Sequence, residues 1–447
     1  MFRRILVANR GEVAARIIRS CKRLGVEAVV VASDADSDLQ FLGEADAVAP
    51  IGPVRSYLDH DAILSAGQEH LCTGVHPGWG FLSENPTFAA RCESMGMTFI
   101  GPSSSNMRQM ADKAAARSVM QSMGVPVIPG SDGAIEDATE AISIAERIGY
   151  PVLLKAVSGG GGRGMRIVRS ASGIEEAFGA ARAEAVGAFG DGRLYLEKLI
   201  ENGRHIEFQV VGDGRRVQVL GERECSIQRR HQKLLEETPS PALQSEEGQR
   251  IRLQVAAKVA SACEAIGYRG AGTIEMLLDA GGGLYFMEMN TRLQVEHTIT
   301  EEVTGTDLVE AQLMVACNHA MPDFPPPSGW AIQCRINAEN PSDDFQPHPG
   351  VLERLDLPEI EGVRYDTHLK KGDAISPHYD SMIAKVIAKG ESRTDAIARM
   401  RRALDEIVIE GVPTTIGMHR RLMDHPGFLA GDTDTGFLER ELEGLLQ

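Results

Sequence analysis

Hydrophobic positions in the first hundred residues alternate between short continuous runs and a helical spacing. The run at residues 4–8 predicts a buried strand, and the helix that follows carries Val13, Ile17 and Ile18 on one face. Strand and helix patterns keep alternating to the end of this region, which is typical of a parallel sheet covered by helices. We therefore predict a βαβ domain with a parallel sheet over residues 1–112.

The rest of the chain divides into two further regions. Residues 325–327 are three consecutive prolines, which cannot continue a helix and mark a boundary. We predict a central domain over residues 113–330, with a small lid at about 131–203, and a closing α+β domain over residues 331–447. The pattern places helices at residues 107–123, 247–266, 301–319 and 392–409, and strands around residues 206–220 and 284–289.

Composition limits the classes of function. The 447 residues are 43% hydrophobic and carry a formal net charge of -17, which opposes binding to a nucleic-acid backbone. No stretch approaches the roughly 18 consecutive apolar residues of a membrane span. Seven cysteines, without a Cys-x-x-Cys pair, argue against a disulfide framework or a zinc site. We therefore expect a cytoplasmic enzyme that binds neither nucleic acid nor membrane.

A lysine and a glycine run form the first candidate site. Lys155 ends an apolar segment, and residues 159–162 are four consecutive glycines whose bare N–H groups can approach an anion. Alone, such a run is more often a flexible linker. Here one apolar segment precedes it and another, residues 166–168, follows, which favours a hairpin lid over bound phosphate.

Two carboxylates on apolar strands form the second candidate site. Glu275 and Glu288 lie in otherwise apolar segments, and Asn290 follows closely. Such carboxylates are costly to bury unless a cation compensates them, and hard oxygen ligands suit magnesium shared with ATP phosphates. The alternative is a pair of carboxylates neutralised by arginine.

Three polar residues at alternate positions form the third candidate site. If the segment is extended, Arg292, Gln294 and Glu296 share one face. Arginine can grip a small planar oxyanion through two hydrogen bonds, and a nearby carboxylate can accept its proton. Bicarbonate fits this description, although a solvated edge strand would show the same pattern.

A segment dense in hydrogen-bond donors, residues 225–233, includes Gln228, His231 and Lys233. It is either part of the site or a basic surface loop. His205 is likewise either a site residue or a structural histidine. We interpret the stretch from His76 to Phe81 as structural.

Taken together, these motifs resemble the biotin carboxylase family over about residues 3–440. The motifs that carry the resemblance are residues 8–12, 76–85, 229–233, 267–273, 289–297 and 334–339, together with Lys155 and its glycine loop. The chain departs from the family pattern at Trp79, Val157, Thr298 and Thr415.

The resemblance implies an ATP-grasp fold that binds ATP with Mg²⁺ or Mn²⁺, two ions in all. The implied ATP contacts are Lys113, Lys155, Gly160, Gly161, Gly162, Glu197, Lys198, Ile200, His205, Gln228, His231, Glu275, Leu277 and Glu288. The two lysines would contact phosphates, the glycine loop would close over them, and residues 197–200 would present backbone to adenine. The implied metal ligands are Glu275, Glu288 and Asn290.

The resemblance also implies how bicarbonate and biotin are handled. The implied contacts are Lys233, Arg292, Gln294, Val295, Glu296 and Arg335. Lys233 and Arg292 would position bicarbonate, and Glu296 would be the base that activates it. The resulting carboxyphosphate would break down inside the closed lid, and Arg335 would stabilise the enolate-like oxygen that forms on biotin.

The implied partners are a biotin carboxyl carrier protein and carboxyltransferase subunits, and a second copy of the chain in a homodimer. No Ala-Met-Lys-Met biotinylation motif is present, so biotin would come on a separate carrier, unless the chain is a fragment of a longer carboxylase. We expect the chain to serve acetyl-CoA carboxylase in fatty acid biosynthesis, or another acyl-CoA carboxylase. The alternatives are another ATP-grasp ligase, such as half of a carbamoyl-phosphate synthetase, and a nucleotide-binding scaffold without turnover.

Overall fold

The computed structural model describes residues 1–158 and 164–446. Its N-terminal part is a parallel sheet with strand order β3-β2-β1-β4-β5. The strands are β1 Arg4–Val7, β2 Glu27–Ser33, β3 Ala47–Gly52, β4 Gly74–His76 and β5 Thr98–Phe99, and the helices are α1 Gly11–Leu24, α2 His60–Glu69, α3 Pro86–Ser94 and α4 Ser104–Ala111. Ile5, Leu6 and Val7 are fully buried because helices cover both faces of the sheet. The predicted parallel βαβ region is confirmed.

A small antiparallel sheet with two helices forms the next part of the fold. Its elements, with the helix that leads into it, are α5 Lys113–Ser122, α6 Ala138–Ile148, β6 Val152–Ala156, β7 Met165–Val168, α7 Ile174–Phe189 and β8 Leu194–Lys198. β6 pairs with β7 on one side and β8 on the other. The predicted hairpin on either side of the glycine run is therefore present. Gly160, Gly161 and Gly162 themselves lie outside the described residues.

A large antiparallel sheet crosses from the central to the C-terminal part of the chain. Its central elements are β9 Arg204–Asp213, β10 Val217–Arg229, β11 Gln232–Thr238, α8 Glu246–Ala265, β12 Arg269–Leu278, β13 Leu284–Asn290, α9 His297–Thr304, α10 Leu308–Ala316 and β14 Trp330–Asn337. The later elements are β15 Glu339–Asn340, β16 Gln346–Pro347, β17 Gly350–Val351, β18 Arg354–Asp356, β19 Val363–Thr367, β20 Ala374–Ile375, β21 Met382–Gly390, α11 Arg393–Glu406, β22 Val408–Glu410, α12 Ile416–Asp424, α13 Pro426–Ala430 and α14 Phe437–Leu446. The strand order is β13-β12-β9-β10-β11-β14-β21-β19, so β11 and β14 join the two parts directly.

Two predicted helices are each broken in two. The helix expected at residues 107–123 ends at Ala111, because the Asp112 carboxylate accepts hydrogen bonds from the N–H groups of the next turn and starts α5. The helix expected at residues 301–319 is α9 and α10. Gly305, at a φ of 65°, ends α9, and the side chain of Asp307 caps α10.

Within residues 1–158 and 164–446, we find no helix that combines the length and the apolar character needed to cross a membrane. All seven cysteines, each in the described part of the chain, are unpaired thiols.

Candidate active site

Strand register places a row of charged side chains across the middle of the large sheet. On neighbouring antiparallel strands, Glu288 of β13 is paired with Glu275 of β12, Glu275 with Glu207 of β9, and Glu207 with Arg223 of β10. Directly paired residues project from the same face of a sheet. The two carboxylates that the sequence predicts as metal ligands therefore lie side by side.

Lys233 connects this row to the loop before α9. Its Nζ donates to Glu207 Oε2 at 2.6 Å, to Glu275 Oε1 at 2.9 Å and to Glu296 Oε1 at 2.7 Å. Burial favours the neutral amine, but the three carboxylates outweigh burial and raise the pKa of Lys233 well above its usual value. The segment around Lys233 is therefore part of the site and not only a basic surface loop.

Glu296 lies between two cations. Its second oxygen is 3.1 Å from Arg335 Nη2, and Arg335 Nε donates to Glu236 Oε1 at 2.6 Å. Burial acts to raise the pKa of Glu296, but the charges of Lys233 and Arg335 lower it overall. A carboxylate held ionised between two cations can accept a proton from a bound acid.

The loop that carries Glu296 is not extended, contrary to the predicted shared face. Gln294 and Glu296 do converge, since Lys233 Nζ also donates to Gln294 Oε1 at 3.3 Å and Gln294 Nε2 donates to Glu275 Oε1 at 3.0 Å. Arg292 instead donates from Nε to Glu84 Oε2 at 2.9 Å. The chain bends here because Glu296 is already the N-cap of α9.

Glu275 and Glu288 fit a divalent cation. Burial raises the pKa of Glu288, and the nearby charge of Glu275 raises it further. The Glu288 side chain makes no hydrogen bond or ion pair within residues 1–158 and 164–446. Burial opposes ionisation of Glu275, but Lys233 and His205 lower its pKa to about 2. Glu275 is thus held by a lysine and not by the arginine of the alternative interpretation. A divalent cation between the two carboxylates would relieve their repulsion. Asn290 ends β13, the strand that carries Glu288, and its Oδ1 accepts a hydrogen bond from Arg292 Nη2 at 3.2 Å.

A pocket between the small sheet and β13 contains one of the two predicted phosphate-binding lysines. Its lining includes Lys113, Val157, Tyr195 and Glu197. The Lys155 ammonium makes an ion pair with Glu197. Two lysines, Lys113 in the lining and Lys155 paired with the lining residue Glu197, suit a nucleotide whose phosphates enter the pocket.

The other predicted nucleotide contacts lie in three different settings. Lys198 Nζ donates to the carbonyl oxygens of Gly149 and Tyr150 at 3.0 and 2.7 Å, and Ile200 follows the end of β8. Gln228 Nε2 lies 3.1 Å from His205 Nδ1, and His205 is paired in register with Leu277. His231 is exposed in the turn between β10 and β11, and its side chain makes no hydrogen bond or ion pair inside the described ranges.

The structure adds residues that sequence reasoning missed. Glu207 and Arg223 are fully buried in the charged row and bonded to each other, with Arg223 Nε 2.5 Å from Glu207 Oε1. Glu236 holds Arg335, and Glu84 accepts from both Arg292 and the Thr291 N–H. Glu207 could have been found from the sequence, because polar residues occupy alternate positions of the otherwise apolar strand around it. Glu84 lies in the stretch of residues 76–85 that carries the family resemblance, but its role here was missed because its partner is 208 residues away.

Three of the departures from the family pattern contact this site. Thr298 Oγ1 donates to Gln333, which in turn donates to Glu236 Oε2 at 2.9 Å. Thr415 Oγ1 donates to the carbonyl of Arg335 at 3.1 Å, and Val157 lines the nucleotide pocket. Thr298 is thus linked to the Arg335 guanidinium through Gln333 and Glu236, and Thr415 holds the Arg335 backbone.

Comparison with known protein families covers almost the whole chain. Residues 1–107 match the family described as biotin carboxylase, N-terminal domain, and residues 333–440 match the biotin carboxylase C-terminal domain. Residues 112–324 match the carbamoyl-phosphate synthase L chain, ATP binding domain. The flanking domains, and not the ATP-binding domain, therefore distinguish between the two ligase classes.

Individual relatives support the same family assignment. The chain is 48% identical to biotin carboxylase 1 of Bacillus subtilis, with 98% of each chain covered. It is 46% identical to a pyruvate carboxylase subunit from Methanothermobacter thermautotrophicus, covering 100% of this chain and 91% of that one. It is similar, at 45% identity and a TM-score of 0.93, to the biotin carboxylase domain dimer of Hydrogenobacter thermophilus 2-oxoglutarate carboxylase in complex with MgADP, ADP and bicarbonate, with 100% and 99% of the chains covered. The chain belongs to the biotin carboxylase family of ATP-dependent enzymes.

Proposed function

We propose that the chain carboxylates biotin on a separate carrier protein, through a carboxyphosphate intermediate, as the first half-reaction of an acetyl-CoA or other acyl-CoA carboxylase. One observation carries the chemistry. Glu296 lies between the cations of Lys233 and Arg335, and Lys233 also donates to Glu275. Base, cations and metal ligands therefore meet at one place.

ATP would occupy the pocket beside Lys113 and Glu197, with Lys155 close to its phosphates. Lys155 would exchange its ion pair with Glu197 for a phosphate oxygen. Mg²⁺ held by Glu275 and Glu288, with Asn290 nearby, would neutralise charge on the γ-phosphoryl group during transfer. The remaining predicted contacts, including the glycine loop and His231, would close the pocket around the nucleotide.

Bicarbonate would bind beside Lys233 Nζ, which now donates to both Glu296 and Gln294. Lys233, with Arg292 after release from Glu84, would hold its negative oxygens, together with the backbone of Val295. The Glu296 carboxylate is ionised, and it would become a stronger base and take the bicarbonate proton once Lys233, one of the cations that lower its pKa, is engaged by bicarbonate. Deprotonation makes the bicarbonate oxygen the nucleophile that attacks the γ-phosphorus.

Arg335 would act in the second step. Decomposition of carboxyphosphate in a site shielded from water yields carbon dioxide next to biotin. The phosphate released in the same decomposition would take the proton of the biotin ring nitrogen, so that negative charge develops on the ureido oxygen before the nitrogen attacks the carbon dioxide. A guanidinium held by Glu236 and Glu296 is already oriented to stabilise that charge.

The partners and setting are part of the same proposal. We propose a carboxyl carrier protein, carboxyltransferase subunits and a homodimer, in the cytoplasm, where unpaired thiols stay reduced. The domain boundaries at residues 112/113 and 330/331 and the lid at about 131–203 remain predictions. Relatives named for pyruvate and 2-oxoglutarate carboxylases show why the acceptor needs its own test.

Reconstitution would test the acceptor. The chain is mixed with biotinylated carrier protein and with carboxyltransferase subunits of each type, and labelled bicarbonate is followed into product. The proposal expects label in malonyl-CoA or another carboxylated acyl-CoA. Transfer only to pyruvate or 2-oxoglutarate would contradict the choice of acceptor, while label on the carrier alone would still support biotin carboxylation. A sedimentation measurement on the same sample tests the homodimer.

A further inference from the structure

A buried lysine outside the predicted site contacts the loop of residues 291–296, which carries several of the proposed bicarbonate contacts. Lys385 lies in β21, and its side chain is fully buried. Its Nζ donates to the backbone carbonyl of Val295 at 3.1 Å. The same Nζ lies 3.0 Å from Glu12 Oε1 and 3.7 Å from Asp366 Oδ2. One ammonium group therefore joins the C-terminal sheet, the first turn of α1 and the loop before α9.

Glu12 depends on this lysine. Its side chain is 1% exposed, and its carboxylate accepts no hydrogen bond from any residue in the described ranges. Asp366, in contrast, is also held by Arg364, whose Nη2 donates to it at 2.7 Å. A buried carboxylate requires a compensating charge. Lys385 supplies the charge that compensates Glu12, and Glu12 in turn holds the ammonium beneath the loop.

The contact with Val295 fixes one peptide plane of the loop. Residues 291–296 belong to no strand, and Glu296 is already the N-cap of α9. The carbonyl that Lys385 holds belongs to the peptide between Val295 and Glu296. Because a peptide unit is planar, the direction of this carbonyl sets where the Glu296 backbone begins. A charged donor on a carbonyl is also stronger than a neutral one.

We propose that Lys385, held in place by Glu12, is a positioning residue that anchors the Val295 carbonyl and so sets the loop Gln294–Glu296 for bicarbonate. The inference rests on the proposed bicarbonate role of that loop. Lys385 makes no hydrogen bond or ion pair with Glu296 or Lys233, and its contact with the loop is to the backbone. It therefore adds a support from the C-terminal part of the chain to the site on the central sheet.

A purely structural role for Lys385 would be to neutralise Glu12. Lys385→Met alone does not separate the two roles, because it leaves the Glu12 charge buried without compensation. The double variant E12Q/K385M removes both charges and keeps side chains of similar length. It restores electrical balance but not the hydrogen bond to Val295. Lys389→Met is the matched control, since Lys389 lies in the same strand and its ammonium has no partner within the described part of the chain.

Two measurements on the full-length double variant test the proposal. We expect the KM for bicarbonate in bicarbonate-dependent ATP hydrolysis to rise about tenfold, the effect of losing one charge-assisted hydrogen bond, with the KM for ATP changed less than about twofold. We also expect amide hydrogen exchange in peptides covering residues 292–298 to be faster than in wild type. The K389M control should match wild type in both.

The outcomes separate this inference from the proposed function. Wild-type values of bicarbonate KM and loop exchange in the double variant would overturn the positioning role and leave charge neutralisation as the function of Lys385. If wild-type protein shows no bicarbonate-dependent turnover, the proposed function fails. Hydrogen exchange then decides the anchoring by itself: faster exchange in the double variant supports it, and unchanged exchange overturns it.

Discussion

Replacing Glu296 by glutamine changes the chemistry of the site while preserving its shape. The amide oxygen can still accept from Lys233 Nζ, which now lies 2.7 Å from Glu296 Oε1. The amide nitrogen would face Arg335 Nη2, now 3.1 Å from Oε2, and cannot accept from it. The variant therefore keeps one of the two contacts and loses the base.

Loss of a general base costs about 10²–10⁴ in rate, or about 2.7–5.4 kcal/mol in the barrier. We expect E296Q to lower kcat for bicarbonate-dependent ATP hydrolysis by this factor, with the KM for ATP within about threefold of wild type. Phosphate release under saturating ATP and bicarbonate measures it. The buried cluster contains more carboxylates than cations, so removing one carboxylate should not unfold the protein. The carboxylates are Glu207, Glu236, Glu275 and Glu296, and the cations are Arg223, Lys233 and Arg335.

Glu237→Gln is a matched control. Glu237 is similarly buried but pairs with Arg393, whose Nε lies 2.8 Å from Oε2, and with Trp330. It has no contact with Lys233 or Arg335 among the described residues. E237Q should therefore leave kcat within about threefold of wild type, whatever it does to stability. An E296Q rate within tenfold of wild type, or an equal loss in E237Q, would refute the role of Glu296.

Three further predictions concern other parts of the account. Arg335→Ser should reduce carboxybiotin formation at least about 100-fold, as for loss of one oxyanion donor, while biotin-independent ATP hydrolysis persists; parallel assays of the two products check this. Lys155→Gln should weaken ATP binding about tenfold in calorimetry, because its ammonium is then missing from the phosphates. Acid should destabilise the fold: burial lowers the pKa of His76, His297 and His368 to about 3 and, despite a hydrogen bond to the carbonyl of Arg335, that of His419 to about 4. In the unfolded chain the same histidines have pKa values near 6.5, so between about pH 6.5 and pH 3 the unfolded chain binds more protons than the folded one. The free energy of unfolding is therefore highest above about pH 6.5 and falls towards pH 3, by at most about 5 kcal/mol per pH unit near pH 5.5. A urea-unfolding midpoint that does not change from pH 7.5 to 5.5 would contradict this prediction.

Local sequence signals predicted much of the fold. The parallel sheet at the N-terminus follows from apolar runs such as Ile5 to Val7, which are buried on both faces. The helix at residues 301–319 was wrong because apolar periodicity continues through Gly305 and Asp307, where a C-cap and an N-cap interrupt it. Capping residues weigh more than periodicity at such a point, since they satisfy the backbone groups at helix ends.

The sequence predicted site residues that have a local signal, and it did not predict contacts between residues far apart in the chain. Glu275 and Glu288 stood out as carboxylates in apolar strands, and register confirms that they are neighbours. The contacts of Arg292 with Glu84 and of Val295 with Lys385 join residues that are 208 and 90 positions apart. Such contacts depend on how the three parts of the chain pack, and no spacing in the sequence encodes them.

The central claim is that one site couples ATP cleavage to carboxylation of biotin. Purified protein with ATP, Mg²⁺ and bicarbonate, with and without free biotin, tests it most directly when phosphate and carboxybiotin are measured in the same sample. We predict carboxybiotin only when ATP, bicarbonate and biotin are all present, and faster phosphate release with biotin than without. Bicarbonate-dependent hydrolysis that biotin neither accelerates nor turns into carboxybiotin would contradict the account and indicate a different ATP-grasp ligase.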